Sequence, residues 1–146
     1  MNKSYTHYGH SSFDKASFHE VKNQIGIPKP SGGLWASPDN TDFGWKEWVS
    51  ESNLDTNIDT SFSFTLKEDA NVLVIDDITK LEDLPKTDSG LPLPIDIWTF
   101  LDYEKLAGIY DAIEVCITKD NRLHKQLYTW DCDTILIINP DIINIV

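Results

Sequence analysis

The stretch KPSGGLWASPDN, residues 29–40, sets prolines and glycines around a large aromatic and ends on the polar run SPDN. Proline fixes φ and glycine adopts backbone angles closed to other residues, so both residue types mark turns. We therefore predict a short strand from Gly33 to Ala36, held between turns. Trp35 stands two residues before the small hydroxyl of Ser37. We interpret this segment as one wall of a small-molecule pocket.

The chain has 146 residues, and this length predicts a single domain over residues 1–146 with a self-sufficient core. It carries 24 acidic against 12 basic residues, a formal net charge of -12. This balance disfavours a broad surface that tracks nucleic-acid phosphates, because such surfaces need clustered Lys and Arg. The sequence shows no signal peptide and no long apolar run, so we expect a cytoplasmic protein without a membrane segment.

Short strands separated by irregular helices, without regular βαβ spacing, predict a mixed α+β domain. The predicted strands lie at Tyr5 to Gly9, Gly33 to Ala36, Ser61 to Leu66, Val72 to Ile75, Ala112 to Thr118, Thr134 to Ile138 and Ile142 to Val146. In Ser61 to Leu66 the apolar residues alternate and should point to the core, and the run from Thr134 to Ile138, nearly all β-branched or Leu, predicts a central strand.

Three helices are predicted. A brief one follows Ser17 and carries Phe18 and Val21. The second spans 43–52 with Thr41 or Asp42 as the cap, and Trp45, Trp48 and Val49 recur on one face of it, which should be packed. The third follows Asp102 as a cap. A proline-rich surface loop is predicted at 86–96.

Both cysteines, Cys116 and Cys132, fall close to or within predicted strands. Free cysteine is commonly buried as a small hydrophobic residue, and this is the interpretation we adopt. A disulfide or a reactive thiol is the alternative.

Three segments each put polar groups at the end of a predicted strand, where a rigid sheet can hold them. These segments are THYGH at 6–10, GLWAS at 33–37 and DCDTI at 131–135. In the last of them, the two aspartates of DCD lie on one face of an extended chain.

The order of these motifs resembles the ADP-ribosyltransferases, in the branch typified by diphtheria toxin and the poly(ADP-ribose) polymerases. Members carry a His-Gly or Tyr-His-Gly motif on a first strand, then an aromatic-x-Ser strand that leads into a helix with spaced aromatics. A carboxylate opens a late strand. The closest match here is GLWASPDNTDFGWKEW, residues 33–48. In this chain Tyr8 precedes Gly9 where the family has a histidine, and the late acid is Asp133 where active members have glutamate.

The resemblance implies an ADP-ribosyltransferase-like α+β fold, with two small packed β-sheets and flanking helices. It also implies that NAD is the substrate and that ADP-ribose is transferred to a macromolecular acceptor, a protein or a nucleic acid, with release of nicotinamide. A small-molecule acceptor stays open. Cleavage of the nicotinamide bond builds positive charge on the ribose, as in other glycosyl transfers.

The resemblance implies a catalytic role for Asp133, because the second acid of such a pair is the catalytic one in the family and would stabilise the ribose cation. His7 or His10 would bind ribose hydroxyls. The residues implied in binding NAD are Tyr8, Gly9, Trp35, Ser37 and Asp131.

Each of these residues also has a purely structural interpretation. Trp35 is equally explained as a core aromatic, and Asp131 and Asp133 as strand-flanking caps. A catalytically degenerate acidic binding or inhibitor module of the same fold is therefore the main alternative function, and a hydrolase that consumes NAD without an acceptor is a third. The sequence contains no HExxH, no zinc-spaced cysteine pair, no GxGxxG and no Walker motif, so we predict no metal site.

Overall fold

A computed structural model describes residues 3–92 and 97–146 of the chain. Its strands are Ser4–Tyr8 (β1), Lys22–Gln24 (β2), Ile27–Ser31 (β3), Leu34–Pro38 (β4), Ser61–Leu66 (β5), Val72–Ile75 (β6), Ala112–Val115 (β7), Thr134–Ile137 (β8) and Ile143–Ile145 (β9). Its α-helices are Trp45–Ser52 (α1), Tyr103–Ala107 (α2) and Arg122–Gln126 (α3). Short 3-10 turns lie at Lys15–Ser17, Ile78–Leu81 and Pro140–Ile142.

Seven strands form one sheet in the order β6-β7-β8-β4-β1-β5-β9, and β2 and β3 form a separate two-stranded ribbon. β6 and β7 are parallel, and the other strand pairs of the sheet are antiparallel. The mixed α+β class is therefore confirmed. The two separate small sheets that we predicted are instead two halves of one sheet, joined through β4.

The two halves pack against each other because the sheet curls. β1 and β7 are separated by β4 and β8, so a flat sheet would hold them about 14 Å apart. The hydroxyl of Tyr5 on β1 nevertheless donates to Oε1 of Glu114 on β7 at 2.6 Å. Nζ of Lys3 contacts the same carboxylate, whose residue is only 2% exposed.

Side chains alternate across β8 between two apolar clusters, as expected for a strand buried on both faces. Ile135 and Ile137 pack in one cluster with Phe64 of β5. Leu136 packs in the other cluster with Trp130. The nearly continuous apolar sequence of this strand correctly predicted an interior position in the sheet.

Residues 18–31 contradict the sequence prediction. A helix was expected after Ser17, but the 3-10 turn ends there and the chain continues into the β2–β3 ribbon. Val21, expected on that helix, is buried against the main core instead. Pro28 and Pro30 stand two residues apart in β3, so their missing N–H groups face the same, non-pairing side, and a two-stranded ribbon tolerates them.

Most other predicted elements are confirmed to within a few residues. Asp102 caps α2 as predicted, since its carboxylate accepts from the N–H of Lys105. Helix α1 begins at Trp45, with Gly44 rather than Thr41 or Asp42 at the capping position. Residues 93–96 of the predicted proline-rich loop lie outside the described residues.

Both cysteines are free and buried, so the interpretation as small core residues is confirmed. Burial raises the pKa of Cys116 to about 12 and that of Cys132 to about 11. A thiol with so high a pKa is protonated at neutral pH and is a poor nucleophile.

None of the helices in the described ranges combines the length and the apolar character needed to span a bilayer.

Candidate functional site

A cavity of about 320 Å³ lies where the two halves of the sheet meet. It is lined by His7, Tyr8, Gly9, Lys29, Trp35, Ala36, Ser37, Trp45, Thr56, Asn57, Asp131, Cys132 and Thr134. All three polar segments singled out in the sequence contribute to this lining. Its volume lies at the lower end of the range for small-molecule sites, roughly 300–1,000 Å³.

The cavity opens at a change of partner along β4. The first part of that strand pairs with β8, through Leu34 to Ala36, and the last part pairs with β1, through Ser37 and Pro38. Because the two pairings do not overlap, β1 separates from β4 beyond Thr6. The space left between them is bordered by side chains from both strands.

His7 bridges this separation with a hydrogen bond. Its Nδ1 lies 2.7 Å from the carbonyl oxygen of Trp35, and because a carbonyl only accepts, Nδ1 carries the proton. In the neutral ring Nε2 is then an acceptor, so His10 donates to it through its own Nδ1 at 2.9 Å. Burial lowers the pKa of His7, the bond to Trp35 acts in the opposite direction, and His10 lowers the pKa further.

His7 lines the main cavity, and His10 does not. His10 lines a smaller cavity of about 170 Å³ that shares His7 and Trp35. The two imidazole rings are stacked, with centroids 5.2 Å apart. Of the two histidines predicted for the site, His7 is the one in contact with the main cavity.

Ser37 fixes the start of helix α1 beside the cavity. Its Oγ accepts a hydrogen bond from the N–H of Trp45 at 2.8 Å, one of the amides that a helix leaves without an internal partner. This bond holds the indole of Trp45 at the cavity wall, where Tyr8 also lies. The spacing of tryptophans in α1 predicted a packed face, and Trp45 indeed stacks on Trp48, with centroids 5.1 Å apart.

Trp35 lines the cavity, but its ring is already engaged by neighbours. Nζ of Lys29 lies 4.5 Å from the ring centroid, which is within the distance of a cation–π contact. Trp130 packs against the same indole with centroids 5.0 Å apart. A planar ligand that stacks on this face of Trp35 has to displace Lys29. Tyr8 and Trp45 are the other aromatic walls, and one face of Trp45 is covered by Trp48.

Asp131 is the only acidic residue among the described residues that line the cavity. Burial raises the pKa of its carboxyl, while Lys29 and His124 act in the opposite direction. Oδ1 lies 3.8 Å from Nε2 of His124. A partly buried carboxylate in a cavity of this kind stabilises positive charge more strongly than one in water, because the local dielectric is low.

Asp133, the residue that the sequence favoured as the catalytic acid, does not line this cavity. It is 5% exposed, and its carboxylate accepts from the N–H of Thr118 at 3.0 Å and from the hydroxyls of Thr118 and Thr41. Its own N–H donates to the carbonyl of Phe43 at 3.0 Å. The geometry therefore gives Asp133 a structural position, tying the start of β8 to the loop before α1.

The two aspartates lie just before the strand, which explains why only one of them, Asp131, borders the cavity. Alternation along an extended chain would put both carboxylates on one face, but β8 begins only at Thr134 and residues 131–133 are irregular. Cys132, between the two acids, lines the cavity together with Asp131. The direction of each side chain is set by tertiary contacts that the spacing does not encode.

Several lining residues were not predicted from the sequence. They are Lys29, Ala36, Trp45, Thr56, Asn57, Cys132 and Thr134. For Lys29 a signal existed: it is enclosed by Pro28 and Pro30 next to the GLWAS segment, and a lysine in so rigid a setting is held in place. Thr56 and Asn57 lie in a polar loop that carried no such signal.

Compared with protein-family models, with curated proteins and with solved structures, the chain has no significant match. Within residues 3–92 and 97–146, no three His, Cys, Asp or Glu side chains are grouped so that they could hold a metal ion.

Proposed function

We propose that the cavity binds NAD and that the protein transfers ADP-ribose from NAD to a macromolecular acceptor, a protein or a nucleic acid, with release of nicotinamide. The observation that carries this proposal is the convergence of the HYGH, LWAS and DCD segments, distant in sequence, on one cavity. The fold proposed for the chain is accordingly ADP-ribosyltransferase-like. Its curled sheet, with the cavity between two packed halves, is compatible with that fold.

In this proposal Asp131 takes the role that the motif assigned to Asp133. Departure of nicotinamide leaves positive charge on the ribose, and a carboxylate beside the sugar stabilises that charge. Asp131 is the acid that borders the cavity and is not consumed by structural hydrogen bonds to threonines. Its nearest ionic partner is Nε2 of His124, 3.8 Å from Oδ1, so the carboxylate can still face the sugar.

The aromatic walls would hold the nicotinamide ring. Tyr8 and Trp45 offer faces for stacking. Because Gly9 has no side chain, its own backbone can approach the carboxamide closely. Gly9 has φ of 110°, and a Cβ built on it meets no atom within 4 Å, so the space beside it is open.

His7 would contact a ribose hydroxyl only by exchanging partners. Both of its ring nitrogens are occupied, one by the Trp35 carbonyl and one by His10. A hydroxyl can replace His10 as the donor to Nε2, because it offers the same hydrogen bond. In this proposal His10 occupies Nε2 of His7 until the substrate arrives, while the Trp35 carbonyl keeps the proton on Nδ1.

The test is release of nicotinamide from NAD, measured by chromatography in the presence of a crude lysate. The wild type is compared with Asp131→Asn, and with Asp69→Asn as a matched control that removes one exposed carboxylate elsewhere. We expect Asp131→Asn to lower the rate about 100-fold or more, which corresponds to about 2.7 kcal/mol of transition-state stabilisation. Equal rates for all three proteins would refute the role of Asp131.

Label from adenylate-labelled NAD then identifies the acceptor. Label on protein, on RNA or on DNA names the acceptor class, and label on none of them with continued nicotinamide release indicates the hydrolase alternative.

A catalytically inactive binding module is the second candidate. It is favoured by the position of Asp133, since the acid that opens the late strand faces away from the cavity. In that case NAD binds without release of nicotinamide, and an acidic surface engages a basic partner with strong salt dependence.

A further inference from the structure

Lys29 is the only lysine or arginine among the described residues that line the cavity. It lies in β3, and its ammonium stands 4.5 Å from the centroid of the Trp35 ring. Among the described residues, its Nζ makes no hydrogen bond and no ion pair within 4.0 Å. All three of its N–H donors are therefore available to a molecule that enters the cavity.

The backbone of Lys29 is held in place by side chains from the core. The carbonyl oxygen of Lys29 accepts from Nε2 of Gln24 at 2.8 Å. The carbonyl of the preceding Pro28 accepts from the hydroxyl of Tyr103 at 2.8 Å and from Nε1 of Trp130 at 3.1 Å. Tyr103 and Trp130 are themselves almost fully buried. The base of the lysine side chain is thus fixed to the rigid part of the molecule, and only its end is free to move.

The described residues supply no hydrogen-bond acceptor for this ammonium. Burial lowers the pKa of Lys29, and Asp131 offsets this effect only in part, since no ion pair forms between them. Moving a charged group with unused donors out of water is unfavourable unless it is hydrogen-bonded. The indole face of Trp35 compensates for part of this cost, and a ligand oxyanion would compensate for the remainder.

We propose that Lys29 is a phosphate anchor that makes this cavity select nucleotides over nucleosides. The inference rests on the proposed function, and it names the part of NAD that Lys29 binds, the pyrophosphate. With nicotinamide between Tyr8 and Trp45 and its ribose at Asp131, the chain of the dinucleotide continues to its phosphates. Lys29 then leaves the face of Trp35 to bind a phosphate oxygen.

The anchor also counteracts the charge of the protein. A formal net charge of -12 repels a phosphorylated ligand at long range, so a single positive group inside the cavity decides whether the anion is retained. A lysine suits this role, because its ammonium binds phosphate as a point charge and needs no planar, bidentate geometry.

The test is isothermal titration calorimetry with three probes: NAD, nicotinamide riboside and inorganic pyrophosphate. The wild type is compared with Lys29→Met, which keeps the length and the apolar contact with Trp35 but removes the charge. Lys22→Met is the matched control, since Lys22 lies in the same ribbon, is exposed and does not line the cavity.

In the wild type and in Lys22→Met we expect NAD to bind about 10- to 100-fold more tightly than nicotinamide riboside, as a charged hydrogen bond implies. In Lys29→Met this preference disappears because NAD binds more weakly, while affinity for the riboside stays the same. Pyrophosphate binds the wild type and not Lys29→Met.

The outcomes separate this inference from the proposed function. If NAD binds all three proteins equally well, the phosphate anchor is refuted and the NAD site stands. If NAD and the riboside fail to bind but pyrophosphate binds in a Lys29-dependent way, the anchor stands and the NAD function is refuted. If no probe binds the wild type, both are refuted.

Discussion

Replacing Asp133 by alanine separates the structural role seen in the fold from the catalytic role suggested by the sequence. The carboxylate accepts three hydrogen bonds, from the N–H and the hydroxyl of Thr118 and from the hydroxyl of Thr41. Alanine removes the acceptor from all three donors at once. We expect a loss of stability, with the chemistry of the cavity left in place.

The size of this loss follows from the exposure of the donors. Hydrogen bonds to a charged group contribute about 1.5–3 kcal/mol each, but Thr118 is exposed and Thr41 is half-buried, so water replaces part of each bond. About 1 kcal/mol per bond gives a decrease of about 3 kcal/mol in the free energy of unfolding for Asp133→Ala. For a chain of this length that corresponds to a decrease of about 10 °C in Tm. Asp133→Asn keeps one acceptor and should cost about 1 kcal/mol.

The assay pairs thermal and urea unfolding with nicotinamide release, each measured well below the Tm of the weakest variant. Asp131→Asn is the counterpart: it should unfold as the wild type does and lose activity. An Asp133→Ala protein with wild-type Tm and no activity would refute this reasoning, and would restore Asp133 as the catalytic acid.

Two further predictions concern the backbone at two glycines and the pH dependence of stability. Gly33 has φ of 71°, and a Cβ there would lie 2.4 Å from Cδ1 of Leu136, whereas a Cβ on Gly9 meets no atom within 4 Å. Urea unfolding should therefore show a loss of about 3 kcal/mol for Gly33→Ala and a smaller one, about 1 kcal/mol, for Gly9→Ala, and equal losses would contradict the packing. Asp120 has its pKa held well below its usual range, chiefly by its hydrogen bond from Arg122. A lowered pKa stabilises the fold at pH values above the unfolded pKa of about 3.9, and this stabilisation is lost as the pH falls. Asp120→Asn should therefore be less stable than the wild type at pH 7, and the difference in the free energy of unfolding should shrink below about pH 4. A difference that stays constant with pH would count against a stabilising role for the Asp120–Arg122 pair.

The sequence predicted those elements whose physical basis is local. The β-branched run of β8 predicted an interior strand, and the period-two pattern of Ser61–Leu66 predicted a strand with Phe62 and Phe64 inward, as both are buried. The carboxylate of Asp102 predicted the start of α2. In each case the deciding interaction lies within a few residues along the chain.

The ribbon of β2 and β3 was missed for the opposite reason. Its pairing joins Lys22 to Ser31 and Gln24 to Ile27, and the segment is stable because Tyr103 and Trp130 bind the carbonyl of Pro28 from far along the chain. Two prolines in a short segment predict a turn when only neighbours in sequence are considered. Because a turn was predicted there, Lys29 was not predicted as a site residue. It is the one lysine that the ribbon contributes to the described cavity lining.

By itself the sequence determined the α+β class, the burial of both cysteines, and the three segments that would meet. Only the tertiary structure decided which of two aspartates, two residues apart, borders the cavity, and which face of Trp35 is already covered. The physical reason is that a side chain's direction at an irregular strand end depends on distant partners. For Asp133 those partners are Thr41 and Thr118, which bind its carboxylate and leave Asp131 to the cavity.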